Sequence, residues 1–149
     1  LGAEPADRYQ DRRLGEYAPA VRSLPAGSKV LFLWEPRSYL CPVTVLCQPD
    51  AFLYNWRYLL HRTGGDPAAA AADLRAAGYT HLLVYSGGLR FFTEPPNVEA
   101  EPQHVQALLD LAARDATLVV GAPLADTLAL PPAQAAGRGY VLYALHGTP

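Results

Sequence analysis

The chain has 149 residues, half of them apolar and only 17% charged, with a formal net charge of −2. That is enough apolar surface to build a core without staples, and too little charge for a disordered polymer. It also disfavours an electrostatic hold on nucleic acid, because the basic residues are eleven arginines and the single Lys29, scattered through an Ala-, Leu- and Pro-rich composition.

No apolar run approaches the roughly 20 residues needed to span a bilayer, and Leu1 to Asp11 is too polar for a signal peptide. The start at Leu1 and the absence of Met lead us to expect a segment of a longer polypeptide.

Asp7 to Leu14 reads as a short helix ended by Gly15. Glu16 to Leu24 reads as a second, with Pro19 tolerated in its first turn and Tyr17, Val21 and Leu24 on one face. After the turn Pro25-Ala-Gly27, Lys29 to Trp34 is apolar at consecutive positions, the pattern of a strand covered on both sides. Val43 to Cys47 is a shorter strand. Asp50 is expected to cap a helix reaching Arg62, with Phe52, Trp56, Leu59 and Leu60 inward and Tyr54, Tyr58 and His61 on the other side.

Gly64-Gly65 breaks that helix, Asp66-Pro67 starts the next, and Gly78 closes it. Tyr79 to Tyr85 follows so closely that a βαβ crossover is expected. Glu94 to Pro102 is a loop, and Pro102 to Arg114 a helix with Val105, Leu108, Leu109 and Ala112 at helical spacing and Asp110 and Arg114 outward. Thr117 to Val120 and Gly139 to Leu145 are the last strands, separated by a Pro/Ala/Gly-rich excursion from Pro123 to Arg138 with the composition of a surface loop. The pattern predicts a single α/β domain over residues 1–149, entered by a helical lead-in over 1–24. Its sheet is expected to be small, mostly parallel and Rossmann-like, with helices on its faces and an antiparallel last strand.

Cys41 and Cys47 are too few and too irregularly spaced for a zinc site. Held extended, that stretch would keep its ends about 20 Å apart, beyond disulfide reach, so two separate thiols are expected unless a turn at Pro42 brings them together.

The stretch Val30 to Tyr39 carries the most functional information, because an apolar strand ends in an acid, a proline, a base and an aromatic. Open α/β sheets hold ligands at such strand ends. Glu35 and Arg37 flank Pro36 and read either as a rim ion pair or as a joint contact for a polar ligand. Trp34 and Tyr39 offer rings for stacking, against the plainer reading of core or rim packing. Ser86 and Gly87, with Gly88, follow the third strand and offer backbone amides to an anion at a helix start, against the plainer reading of a turn. No glycine-rich nucleotide fingerprint, nucleophile elbow or histidine pair at metal-binding spacing is present. The residues therefore name no catalytic group, no metal site and no cofactor. His61, His81, His104 and His146 read as packing or surface residues. Tyr54, Tyr58 and Phe91-Phe92 are the aromatics placed to meet a membrane interface, with ordinary packing as the plainer reading.

Several segments, in order, resemble the soluble C-terminal tail of polytopic membrane glycosyltransferases of the dolichyl-phosphate-mannose protein mannosyltransferase type, which includes the lipid A aminoarabinose transferases. The resemblance runs through Asp7-Arg-Tyr9, Leu14-Gly-Glu-Tyr17, Leu24-Pro-Ala-Gly-Ser-Lys-Val30, Trp34-Glu-Pro-Arg-Ser-Tyr39 and Pro49-Asp50. It resumes at Leu74-Arg-Ala-Ala-Gly-Tyr-Thr-His-Leu-Leu-Val84 and ends with Tyr140-Val-Leu-Tyr143. The chain departs at Tyr85-Ser86, where such tails often carry an asparagine.

The resemblance implies that transmembrane helices outside this segment carry the active site, with a sugar on a polyprenyl phosphate as donor. This segment would then be an accessory domain on the extracytoplasmic side of the cytoplasmic membrane. Its expected partners are the transmembrane part of the same polypeptide and the lipid-linked sugar or acceptor. The competing expectations are a free-standing α/β domain that binds a sugar or nucleotide, and a protein-interaction module.

Overall fold

The computed structural model describes Tyr9 and residues 16–93, 101–131 and 139–147. Five strands form one open sheet in the order β2-β1-β3-β5-β4. β1 (Lys29–Leu33) runs parallel to β2 (Leu46–Gln48) on one side and to β3 (His81–Tyr85) on the other, so that Leu31 pairs with Gln48 and with Leu82. β5 (Tyr140–Leu145) is inserted between β3 and β4 (Ala116–Val120) and runs antiparallel to both. The expected mixed α/β sheet, parallel in its first part and antiparallel at the last strand, is met.

β1 and β3 are apolar at consecutive positions because both faces of the sheet are covered. Val30, Phe32, Leu83 and Leu142 point to a smaller core closed by Tyr17, Leu24 and the short helix α1 (Ala18–Arg22). Leu31, Leu33, Leu82, Val84, Val141 and Tyr143 point to a larger one. That larger core receives Trp56 from α2 (Asn55–Arg62), Leu74 from α3 (Pro67–Ala76) and Leu89 from α4 (Ser86–Thr93). It also receives Leu108 from α5 (Pro102–Arg114) and Leu124 from α6 (Leu124–Ala129). Each fully buried Leu is worth about 1.5–3 kcal/mol, so five helices on one face anchor the sheet far more firmly than α1 does on the other.

Local signals account for several boundaries. The Asp66 carboxylate accepts from the Ala68 amide at 2.9 Å, and Pro67 opens α3 where no amide partner is needed. Gly78 takes φ +81° just after α3, a conformation that favours glycine. α5 spans the residues its periodicity predicts, with Ala107, Leu108 and Leu111 fully inside and Val105, Leu109 and Ala112 packed at the margin.

Five expectations are corrected, the first being the second strand, which runs Leu46–Gln48 and not Val43 to Cys47, because residues 43–44 lie in the turn that Val45 N closes on Pro42 O. α2 begins at Asn55, not at Asp50: residues 51–53 form a turn with Leu53 at φ +61°, which leaves Phe52 outside while Trp56, Leu59 and Leu60 point inward as predicted. Ser86-Gly87-Gly88 is the first turn of the eight-residue helix α4 and not a loop turn.

The Pro123 to Arg138 excursion begins with α6, whose Leu124 and Thr127 are buried. Arg90 of α4 donates to the carbonyls of Thr127, Leu128 and Leu130 at the end of that helix, as basic side chains often do at helix C-termini. Cys41 and Cys47 are disulfide-bonded, with Cα atoms 6.4 Å apart. Turns closed by Cys41 N to Ser38 O and Val45 N to Pro42 O curl the segment, so the extended geometry that would separate the thiols does not occur. The predicted helix Asp7 to Leu14 lies outside the described residues except for Tyr9, as do residues 94–100 of the predicted loop and residues 132–138 of the excursion.

Candidate functional site

The carboxyl end of β1 is where the chain turns most sharply. Trp34 adopts φ +59°, and this left-handed step breaks the strand's alternation. Leu33 and Trp34 both enter the larger core, and Glu35 is sent toward the other face. A non-glycine residue there costs about 1–3 kcal/mol and persists only where its surroundings hold it.

Asp50 does so. Its Oδ2 accepts from the Trp34 amide at 2.8 Å and its Oδ1 from the Asn55 amide at 3.0 Å, while its own amide donates to the Glu35 carbonyl at 3.0 Å. Burial pushes the Asp50 carboxyl above its ordinary pKa despite these backbone donors. Expected as a helix cap, Asp50 instead ties the end of β1 to the loop before α2.

Glu35 is wholly buried, and its carboxylate is fully engaged. Oε1 accepts from the Arg37 amide and Nε, each at 2.8 Å. Oε2 accepts from Arg37 Nη2 at 2.7 Å and from the Tyr140 hydroxyl. Arg37 Nη2 also donates to the Tyr140 hydroxyl at 2.8 Å, closing a triangle. Burial acts to raise the Glu35 pKa, but the hydrogen bonds from Arg37 and Tyr140 outweigh it and hold the carboxyl below its ordinary value. Arg37 is raised by its hydrogen bonds to Glu35, and Tyr140 is raised by burial and by Glu35. A depressed carboxyl with four donors is a poor general base, so the cluster fixes charge and does not move protons.

Aromatic rings buttress the cluster. Tyr140 stacks on Tyr85, its cross-strand partner, with centroids 4.8 Å apart, and Tyr17 meets Tyr140 edge-on at 5.8 Å. Tyr39 stands exposed on the following loop, close enough to influence Arg37 electrostatically.

The glycines of α4 serve contact. A Cβ on Gly88 would lie 2.7 Å from the Trp34 carbonyl oxygen, and one on Gly87 2.9 Å from the Tyr85 ring. The Ser86 amide and hydroxyl both donate to the Gly139 carbonyl, at 2.8 and 3.2 Å. The crevice between the ends of β1 and β3, where an anion would be expected, is occupied by the protein itself.

Of the residues singled out from sequence, Glu35, Arg37 and Tyr39 thus gather on the face of the smaller core, with Gly87 against the Tyr85 ring behind them. Trp34 belongs to the opposite face, where it lines a narrow cleft with Leu53, Tyr54, Trp56, Phe92 and His104, and where Arg57 also reaches. The cleft encloses about 20 Å³, room for about one water. Leu53 and Trp34, the two described non-glycine residues with positive φ, both line it.

Sequence reasoning met Tyr140 only in the last motif of the resemblance and gave it no site role, because it lies more than a hundred positions from Glu35. The missed disulfide packs its cysteines against the smaller core, close to the same rim. Among the described residues no three His, Cys, Asp or Glu side chains gather as a metal site, and no helix is long and apolar enough to cross a membrane.

No protein-family model, curated protein or solved structure matches the chain. The geometry must therefore carry any functional reading together with the motif resemblance.

Proposed function

We propose that this segment is a non-catalytic, extracytoplasmic accessory domain of a membrane-bound glycosyltransferase that takes its sugar from a polyprenyl phosphate. Its sheet is read as a small Rossmann-like variant, and Arg37 and Tyr39 make polar contact with the membrane part of the enzyme, the lipid-linked sugar or the acceptor. Glu35 holds Arg37 in place for that contact.

The observation that carries the reading is the Cys41–Cys47 bridge, because disulfides persist in oxidising compartments and are rare in the cytosol. The occupied Glu35 carboxylate supports an accessory role, and Arg37, whose side chain is 39% exposed, is the rim group left facing outward.

The location is tested by treating intact cells that produce the full polypeptide with a maleimide polymer, before and after reduction. Labelling of Cys41 and Cys47 only after reduction is the expected result; two free thiols without reductant would remove the basis of the reading. The contact is tested by Arg37→Gln in the same polypeptide, which is expected to lower sugar transfer while the domain stays folded. A free-standing sugar- or nucleotide-binding domain is the second reading; it would use the wider hollow lined by Arg57, His61, Glu101 and His104, since the Trp34 cleft has room for about one water. Titration calorimetry showing heat of binding with a free hexose or a nucleotide would replace the first reading by this one.

A further inference from the structure

The amino end of α2 presents an unusual combination of groups. Phe52 is 83% exposed, Tyr58 63%, Phe91 58% and Tyr54 48%. Tyr54 shares the Trp34 cleft with Phe92, and Phe92 meets Phe91 edge-on at 5.3 Å, while Tyr54, Arg57, Tyr58 and His61 line one shallow depression. Arg57 stands beside the rings of Tyr54 and Tyr58, and its side chain makes no hydrogen bond or ion pair among the described residues. Its neighbours are accounted for. Arg62 pairs with Asp73 at 2.8 Å, and Glu101, which shares a wider hollow with Arg57 and His104, is hydrogen-bonded by the Gln103 side chain.

We propose that this end of the molecule rests on an anionic lipid surface, with Arg57 toward the headgroup phosphates and Phe52, Tyr54, Tyr58 and Phe91 at headgroup level. The cleft behind the rings has room for about one water, and the two hollows that Arg57 lines, about 320 and 500 Å³, lie open to solvent and do not enclose a small ligand, so the rings act from outside. A protein interface would draw on the same Tyr, Phe and Arg residues; what favours lipid here is the Arg57 charge, which no group of the described residues meets and a phosphate surface does. The large apolar side chains exposed at this end are all aromatic, the residue class that gathers at membrane interfaces. The exposed aliphatics Leu46, Leu118, Val119 and Val120 lie on the two edge strands of the sheet, and Val43 in the turn before β2. A phosphate supplies the charge that Arg57 lacks. This inference stands apart from the transferase reading, since it concerns only how the segment meets lipid.

The test is co-sedimentation of the 149-residue chain with vesicles of equimolar phosphatidylcholine and phosphatidylglycerol, against vesicles of phosphatidylcholine alone, at low ionic strength. The chain is expected to partition onto the anionic vesicles, and added salt is expected to release it. Arg57→Gln should weaken partitioning about fivefold, and the double variant Phe52→Ser/Phe91→Ser should weaken it further, with unchanged circular dichroism and thermal melting in each case. No partitioning of the unaltered chain overturns the proposal, as does equal partitioning on the two vesicle types. Full partitioning by Arg57→Gln assigns any lipid contact to another surface, and dimerisation that Phe52→Ser/Phe91→Ser abolishes, without lipid binding, makes the patch a protein interface.

Discussion

The end of β1 and the start of α2 are neighbours, joined through Asp50, yet they treat charge in opposite ways. At the first, Glu35, Arg37 and Tyr140 satisfy one another around a buried carboxylate, and glycines let α4 close over the backbone. At the second, the Arg57 side chain sits in a helix's first turn with no hydrogen bond or ion pair among the described residues, beside the exposed rings of Tyr54 and Tyr58. Polar groups that satisfy one another serve the fold first. A cation left without a partner, at a helix end that repels it, serves the fold least and so points outward to a binding role.

The contrast is broken most strongly at Glu35. Removing the carboxylate with Glu35→Ala leaves the Tyr140 hydroxyl and the Arg37 guanidinium with unmet donors, at a cost of about 3 kcal/mol, the lower end for a buried pair because Arg37 reaches solvent. Urea unfolding measures it, and a loss below about 1 kcal/mol would reduce the cluster to an ordinary surface pair.

The same carboxylate gives the rim a pH signature. A folded pKa below the ordinary value of 4.5 means that its stabilisation is fully present above 4.5 and is lost as pH falls through the folded value. Asp50 acts oppositely. Its raised pKa imposes a penalty at neutral pH that is relieved as pH falls toward 3.8. The stability difference between the unaltered chain and Glu35→Gln should therefore shrink below pH 4.5, whereas that between the unaltered chain and Asp50→Asn should not follow the same course. Parallel curves for the two pairs would contradict the assigned directions.

The glycines sharpen the comparison further. Gly88→Ala places a Cβ against the Trp34 backbone, which cannot swing aside, and should cost about 2 kcal/mol despite the better helix propensity of alanine. Gly87→Ala meets only the Tyr85 ring, and the propensity gain should offset most of that contact, leaving a change of about 0.5 kcal/mol or less. Equal losses at the two positions would mean that propensity, and not close approach, governs the start of α4.

Local signals made much of this legible. The apolar runs of β1 and β3, the Asp66-Pro67 start of α3, the extent of α5 and the adjacency of Glu35 and Arg37 all follow from residues near one another in the chain. What was hidden depends on distant partners. Gly87 and Gly88 read as a turn because glycine disfavours helices, until the Trp34 backbone shows why no larger side chain fits at Gly88 and the Tyr85 ring shows what stands against Gly87. Phe52 fitted an inner helical stripe, but the hydrogen bonds that Asp50 makes with Trp34 and Glu35 delay the helix to Asn55 and turn Phe52 outward. α6 is six residues of Ala, Leu, Thr and Asp between prolines, too short for periodicity to show, and Arg90 from α4 meets the carbonyls at its end. Tyr140 becomes part of the rim only because β5 inserts beside β3, a pairing that no local pattern encodes.

The smallest expected effect lies at Arg57, and its sign matters more than its size. α2 has no acidic residue in its first turn; the Asp50 carboxylate accepts from the Asn55 amide but leaves the other first-turn amides unmet, so the positive end of the helix dipole still faces Arg57. Arg57→Glu replaces that repulsion by attraction and should raise stability by about 0.5 kcal/mol at low ionic strength, with the gain fading as salt is added. The measurement is paired urea titrations of the two proteins at low and high salt. A loss of stability would mean that Arg57 makes contacts the fold depends on, and the two regions would no longer differ in kind. A gain in stability, together with loss of partitioning onto anionic vesicles, would show a position kept against the interest of the fold, the pattern expected where a residue is held for what it binds.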